Sequence, residues 1–257
     1  MFFTFENKKD TSISKEESFI LDSSVFFGRG VFETILLLDN PILLEEHLKR
    51  LKKGALNLDI PFNLNKESVE EFIKEKNIKD KALKITLTEK NIIYSYRDIP
   101  YKEEDYERGF SLKLSKVIRN STSKLTYLKS TCYVENLIEK EEAKMEGFDE
   151  VIFLNEKGEI TEGATSNIFF IKDKKIYTPR VTCGLLDGII RKWVLGNFKV
   201  EKGCYNIEDL KNSEGIFITN SLLGIMEVRS FDGKIFLKNP LIEEIRLKYK
   251  ICIKDLK

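Results

Sequence analysis

The sequence predicts a mixed α/β (α+β) protein built as two domains, and three observations carry that prediction. Strand-like and helix-like stretches interleave with many hairpins, which suits two mixed domains better than one regular parallel sheet. The chain has 257 residues, 42% of them hydrophobic, enough for more than one core. A short polar run, NSTSK at residues 120–124, separates two patterned stretches. The expected division is a smaller N-terminal α/β domain over 1–119, an interdomain linker over 120–128 and a larger C-terminal domain over 129–257.

Each element has its own reason. Residues 31–38 (VFETILLL) predict a strand that ends at an Asp-Asn-Pro turn. Leu44, Leu48, Leu51, Ala55 and Leu58 recur in helical steps and predict a helix with one apolar face. A second helix over 66–76 would bury Val69, Phe72 and Ile73. Residues 83–87 and 92–96 read as a hairpin across Glu89-Lys90-Asn91. Phe110, Leu112 and Leu114 alternate as one strand face until Lys116 breaks the pattern. Beyond the linker, 130–145 reads as a helix, and 150–154, 167–171 and 175–177 read as strands joined by tight turns. Residues 185–195 predict a helix and 215–219 a buried strand. Pro240 opens a last helix, capped by Asn239, with Leu241, Ile245, Tyr249 and Cys252 inward.

Composition excludes several classes. The 43 basic and 42 acidic residues leave a formal charge of +1, which argues against a nucleic-acid partner held by bulk phosphate attraction. No apolar run approaches the ~18 residues of a membrane span. Met1 to Asp10 shows no basic flank followed by an apolar stretch, so no secretory leader is expected. The four cysteines, Cys132, Cys183, Cys204 and Cys252, are scattered, which suits a reduced, cytoplasmic setting and lacks close-paired zinc spacing. His47 is the one histidine, so a multi-histidine metal site within one chain is excluded and no metal is expected. If the chain is an enzyme, its chemistry should rest on Lys, Glu, Tyr or a bound cofactor.

Six segments, in order, carry a family resemblance. They are 22–34 (DSSVFFGRGVFET), 47–51 (HLKRL), 129–136 (KSTCYVEN), 159–169 (EITEGATSNIF), 186–191 (LDGIIR) and 219–228 (TNSLLGIMEV). Each is loose alone. Together they resemble the fold-type IV pyridoxal-phosphate enzymes: branched-chain aminotransferases, D-amino-acid aminotransferases and aminodeoxychorismate lyases. The resemblance implies a two-domain fold-type IV protein whose C-terminal domain binds pyridoxal 5'-phosphate, a homodimer, and a small-molecule amine as substrate.

It also implies roles. Lys129 matches the lysine that carries the cofactor; read plainly it is a surface lysine at a helix start. Glu162 matches the carboxylate that keeps the pyridine nitrogen protonated; read plainly it is a turn carboxylate before Gly163. Tyr133, one helical turn after Lys129, would bond the cofactor's phenolic oxygen; the plain reading is a half-buried tyrosine. Arg50 would hold the phosphate with its planar fork, although its position off the leucine stripe also allows a solvated arginine. Gly188, Ile189 and Ile190 would offer backbone N–H groups at a helix start. Ile190 stands where many relatives carry threonine, which leaves backbone contacts alone there. Ser221 matches a position whose hydroxyl reaches the phosphate. His47 reads as structural.

Within the family, NSLLGIM at 220–226 is similar to the run common in aminodeoxychorismate lyases. D-amino-acid enzymes hold the substrate carboxylate with a tyrosine and an Arg-x-His pair; here Phe32 takes the tyrosine position and no histidine completes the pair. The resemblance thus implies a lyase that makes 4-aminobenzoate and pyruvate, with a class IV aminotransferase as the alternative. A non-catalytic binding protein is the reading from a different class.

Overall fold

The computed structural model describes residues 2–6 and 19–255. The stretch read for a leader, Met1 to Asp10, lies only partly within them. The described residues form two compact units. Those up to Pro100, with Leu128–Tyr133 and those from Ile253 on, make the first; Tyr101–Tyr127 and Val134–Cys252 make the second.

The first unit holds β1 (Phe2–Glu6), α1 (Ser23–Phe27), β2 (Gly30–Leu37), α2 (Leu44–Asn57), α3 (Lys66–Glu75), β3 (Lys81–Thr88) and β4 (Ile92–Asp98). Its sheet has the order β1-β4-β3-β2. β2 and β3, and β3 and β4, pair antiparallel, as the hairpin pattern predicts. Alternation sends Val31, Ile35 and Leu37 to the face that packs with Leu44, Leu48, Leu51 and Ala55 of α2. Each such leucine, fully buried, contributes roughly 1.5–3 kcal/mol. α3 starts at the Asn65 cap, whose side chain accepts the Ser68 N–H, and buries Val69, Phe72 and Ile73. Phe32 and Thr34 take the other face of β2.

The second unit continues with α4 (Glu103–Arg108), β5 (Phe110–Arg119), α5 (Val134–Met145), β6 (Glu150–Asn155), β7 (Ile160–Gly163), β8 (Asn167–Lys172), β9 (Lys175–Pro179), α6 (Ile189–Asn197), β10 (Val200–Gly203), α7 (Ile207–Lys211), β11 (Gly215–Asn220), β12 (Gly224–Phe231), β13 (Lys234–Ile235) and α8 (Pro240–Asp255). Its sheet runs β10-β9-β8-β11-β12-β5-β6-β7, with β13 on β12. The core is apolar on strand after strand, from Ile152 through Ile168, Phe170, Ile216, Ile218 and Met226. No helix among the described residues is long and apolar enough to cross a membrane.

Three expectations change. The units do not divide as 1–119 and 129–257. β5 pairs in parallel with β6 and β12, so it belongs to the second sheet, and the chain passes between units near Pro100. The 120–128 stretch is structured rather than a plain linker: Lys124–Tyr127 forms a 3-10 turn, and Asn120 caps Thr122. The helix expected from 130 begins at Val134. Lys129, Ser130 and Thr131 instead lie along the outer edge of β2. The Phe32 N–H donates to Lys129 O at 2.9 Å, and the Thr131 N–H to Gly30 O at 2.9 Å. Ser130 bridges Val31. Open ladder groups on an edge strand outweigh the helical pattern here.

Smaller shifts have local reasons. Lys116 does not end β5; the strand carries on past an irregularity between Leu114 and Ile118. α6 starts at Ile189, because Gly184 adopts φ +101 and breaks the run before it. Asn239 does cap α8, its Oδ1 accepting the Leu241 N–H at 3.0 Å. Ile242 takes the inward position expected of Leu241.

Candidate active site

In the first unit, Lys129 stands on the Phe32 face of the sheet. Its Nζ lies 4.6 Å from the Phe32 ring centroid and 5.2 Å from that of Tyr133. The two rings meet edge to face at 5.2 Å. Tyr133 is therefore beside Lys129, though by the extended segment and not by a helical turn. Lys84 of β3 places its Nζ 4.4 Å from the same Phe32 centroid. Register pairs Lys84 with Thr34 and Ser95, and Ala82 with Arg97, so Arg97 is a diagonal neighbour on that face. Lys84 is open to solvent, yet the protein crowding its ammonium, and then Arg97, lower its pKa. Sequence reasoning missed Lys84. The signal was a lysine between Leu83 and Ile85, inside an otherwise apolar strand.

Behind β2 lies a buried ionic group. Glu33 and His47 are each 1% exposed, and the His47 Nδ1 is 2.7 Å from Glu33 Oε2. Arg50 presents Nε and Nη2 to the two Glu33 oxygens. Burial alone would push the Glu33 carboxyl up; the Arg50 guanidinium first, and His47 with it, hold it down at about 2. Burial pushes the His47 pKa down, so the ring is neutral near pH 7. A carboxylate only accepts, so neutral His47 donates from Nδ1. The histidine is structural, as expected. Arg50 is not a solvated arginine, and two of its donors are spent on Glu33.

In the second unit, Glu162 is 9% exposed on β7. Its Oε2 accepts the Leu186 N–H at 3.0 Å and Asn167 Nδ2 at 3.4 Å. Asn167 also donates to Leu186 O at 2.8 Å, so one amide ties the carboxylate to the loop before α6. Glu150, which sequence reasoning passed over, holds the 163–166 turn through the Ala164 and Thr165 N–H groups and the Thr165 hydroxyl. Lys140 donates to Thr165 Oγ1 at 2.6 Å.

Gly188 is the N-cap of α6, and a Cβ built there would fall 1.9 Å from Asn167 Oδ1, so glycine alone fits. Ile189 and Ile190 turn buried side chains inward, and their backbone N–H groups belong to the helix's first turn. Arg191 is clamped by Asp187 at 2.8 Å and Pro179 O at 2.9 Å. Ser221 lies in the turn between β11 and β12, half-buried. Two residues earlier, Thr219 has a buried Oγ1 with no hydrogen-bond partner.

Each unit, taken by itself, holds donor types that pyridoxal 5'-phosphate calls for. Its aldehyde needs an amine, its dianionic phosphate needs a cation and N–H donors, and its ring nitrogen needs a carboxylate. The orphaned Thr219 hydroxyl is a feature that protein packing alone leaves unexplained.

Residues 30–231 match the family described as amino-transferase class IV. The chain is 31% identical to the aminodeoxychorismate lyase of Bacillus subtilis (strain 168), covering 91% of this chain and 89% of that one. It is 29% identical to a D-alanine aminotransferase of Staphylococcus epidermidis (strain ATCC 12228 / FDA PCI 1200), covering 90% and 87%. Among solved structures, the branched-chain amino acid aminotransferase of Escherichia coli superposes with a TM-score of 0.80 at 21% identity, over 93% and 90% of the chains, and shares the fold. The chain belongs to the class IV aminotransferase family. It is accordingly an enzyme of the pyridoxal-phosphate-dependent kind.

Proposed function

We propose that this enzyme is a lyase that converts 4-amino-4-deoxychorismate to 4-aminobenzoate and pyruvate, the 4-aminobenzoate feeding folate synthesis. The observation that carries the reading is the cationic face beside Lys129, where Lys84 lies 4.4 Å from the Phe32 ring centroid and Arg97 is a diagonal neighbour of Lys84. The substrate has two carboxylates on an unsaturated ring. Lys84 and Arg97 would hold the carboxylates, and Phe32 gives the ring an apolar face. The lone histidine is locked against Glu33, so it does not serve a substrate carboxylate. The relationship to the Bacillus subtilis lyase supports the same reading.

Pyridoxal phosphate supplies an electron sink conjugated to the amine-bearing carbon. Lys129 would hold it covalently, and its amine, when freed, would take the proton from the amine-bearing carbon of the substrate. Glu162, oriented by Leu186 and Asn167, would keep a proton on the pyridine nitrogen. Tyr133 would donate to the phenolic oxygen. Arg50, the Gly188–Ile190 backbone and Ser221 would hold the phosphate. Loss of the proton from the amine-bearing carbon and of the substrate ring's bond to the enolpyruvyl oxygen would make the substrate ring aromatic, and the departing enolpyruvate would take up a proton to become pyruvate.

We also infer a cytoplasmic homodimer. Phe26 and Phe27 of α1 are 64% and 79% exposed, an apolar surface suited to a second copy. The deciding assay supplies 4-amino-4-deoxychorismate in one arm and amino acids with 2-oxoglutarate in the other. Release of 4-aminobenzoate and pyruvate supports the lyase. Amino transfer without it replaces this reading with an aminotransferase.

A further inference from the structure

A second cluster stands apart from the residues used above. Glu159 leads into β7, Cys183 closes a 3-10 turn at Val181–Cys183, and Cys204 follows β10. Their ligand atoms all lie within 4.8 Å of one another, and the two sulfurs are 3.5 Å apart. The three segments are fastened together independently. The Ile160 N–H donates to Tyr205 O at 2.7 Å, and the Arg180 N–H to Gly203 O at 2.9 Å. Asn155 Nδ2 bonds both Glu159 Oε2 at 2.8 Å and Cys183 O at 3.0 Å. The fold thus presents two thiols and a carboxylate already converged.

We propose that Glu159, Cys183 and Cys204 bind one thiophilic divalent cation of the zinc class, through two sulfurs and one carboxylate oxygen, with a fourth position open to water. Two thiolates ~2.3 Å from a tetrahedral zinc ion stand about 3.8 Å apart, close to the observed separation. Magnesium and calcium prefer all-oxygen ligands, which this cluster does not offer. Cys183 is buried while Cys204 is exposed, so the cation has a solvent-side entry.

The charges also balance. Two thiolates and a carboxylate around a divalent cation leave one net negative charge, and Arg180 lies three residues before Cys183 with its backbone N–H bonded to Gly203 O beside Cys204, where its charge would offset it. Asn155 acts as the outer partner that aims the carboxylate. Binding exchanges two S–H protons for the cation and releases both. Three residues beyond Cys183, the Leu186 N–H holds Glu162, so an occupied site would brace the approach to that carboxylate.

The test titrates reduced holoenzyme with Zn2+ against a chromophoric chelator, and with Cd2+ while following the thiolate-to-metal ultraviolet band. The expected result is one tight Zn2+ per chain, two protons released per Zn2+ in weak buffer, and the Cd2+ band. Cys204→Ser, at an exposed position, should lose the tight equivalent, and Glu159→Gln should weaken it. Cys183→Ser, at the buried position, should also lose it if the variant folds. The proposal fails if reduced wild-type protein takes up no tight equivalent, or if Cys204→Ser and Glu159→Gln bind as well as wild type. It fails equally if the pair is isolated as a disulfide and takes up no Zn2+ after reduction.

Discussion

Glu33 and Arg50 meet through two parallel hydrogen bonds, Nε to Oε1 and Nη2 to Oε2, both 2.7 Å long. The arginine expected to serve a phosphate is thus first a partner of a buried carboxylate. Arg50→Ala should therefore do two things: weaken cofactor retention, and destabilise the fold by about 3–5 kcal/mol because Glu33 is left buried without its cation. Thermal unfolding of cofactor-free protein separates the two effects. Arg50→Lys should recover part of each, since lysine lacks the planar fork. An Arg50→Ala protein with parental melting and cofactor retention would refute both roles.

The same buried group sets an acid limit. His47 titrates in the folded state below its ordinary 6.5, so the unfolded chain binds more protons as pH falls through that value, and stability declines. Glu33 is depressed from 4.5 to about 2, so its contribution is complete above 4.5 and is lost on the way down to about 2. Denaturant midpoints should fall in two stages, and His47→Gln should remove the first from the difference between pH 7 and pH 5. A midpoint rising on acidification through this range would contradict the assignment.

Lys129→Ala should abolish the cofactor label that survives borohydride reduction and denaturation. Turnover should fall by orders of magnitude, since anchor and base are lost together. Peptide mapping names the modified lysine. Lys140 is bonded to Thr165, and Lys124 lies exposed in the 3-10 turn. Label on either, with Lys129→Ala fully active, would remove Lys129 from the mechanism.

Gly188→Ala puts a methyl where Asn167 Oδ1 now sits, at 1.9 Å from the built Cβ. Asn167 must shift, and it carries both the Glu162 and the Leu186 contacts. Cofactor occupancy, read by visible absorbance, should drop while the far-ultraviolet spectrum stays folded. Unchanged occupancy would mean that this helix start does not hold the cofactor.

Lys84→Met should keep cofactor binding and lower kcat/KM for the dicarboxylate substrate by about tenfold to a hundredfold, the range expected for one charge-assisted contact. An unchanged kcat/KM would take Lys84 out of substrate binding.

Most of the first unit was legible because its signals are local. The leucine steps of α2 and the paired runs of β3 and β4 need no distant partner to be read. Lys129 was expected at a helix start and lies instead on extended backbone. Its extended form depends on the edge of β2, about a hundred residues earlier, which no local period encodes. β5 was assigned to the wrong half for the same reason, because its partners are β6 and β12. The Glu33–Arg50 pair was hidden as well, since helical spacing placed Arg50 off the leucine stripe and only the packed strand supplies its partner. The Cys183–Cys204 contact was discounted because the pair lies far apart in sequence, while strand pairing brings it together.

The residues from Lys129 to Thr131 close the outer edge of β2 with hydrogen bonds to Gly30 and Phe32. An open strand edge is a template on which another chain can add a strand, the first step toward aggregation. The segment that carries the amine proposed to hold the cofactor is thus also the seal on that edge. Backbone slippage at Lys129 would misplace the amine and unseal the sheet together, so accurate chemistry and solubility become one constraint on the same three peptide units.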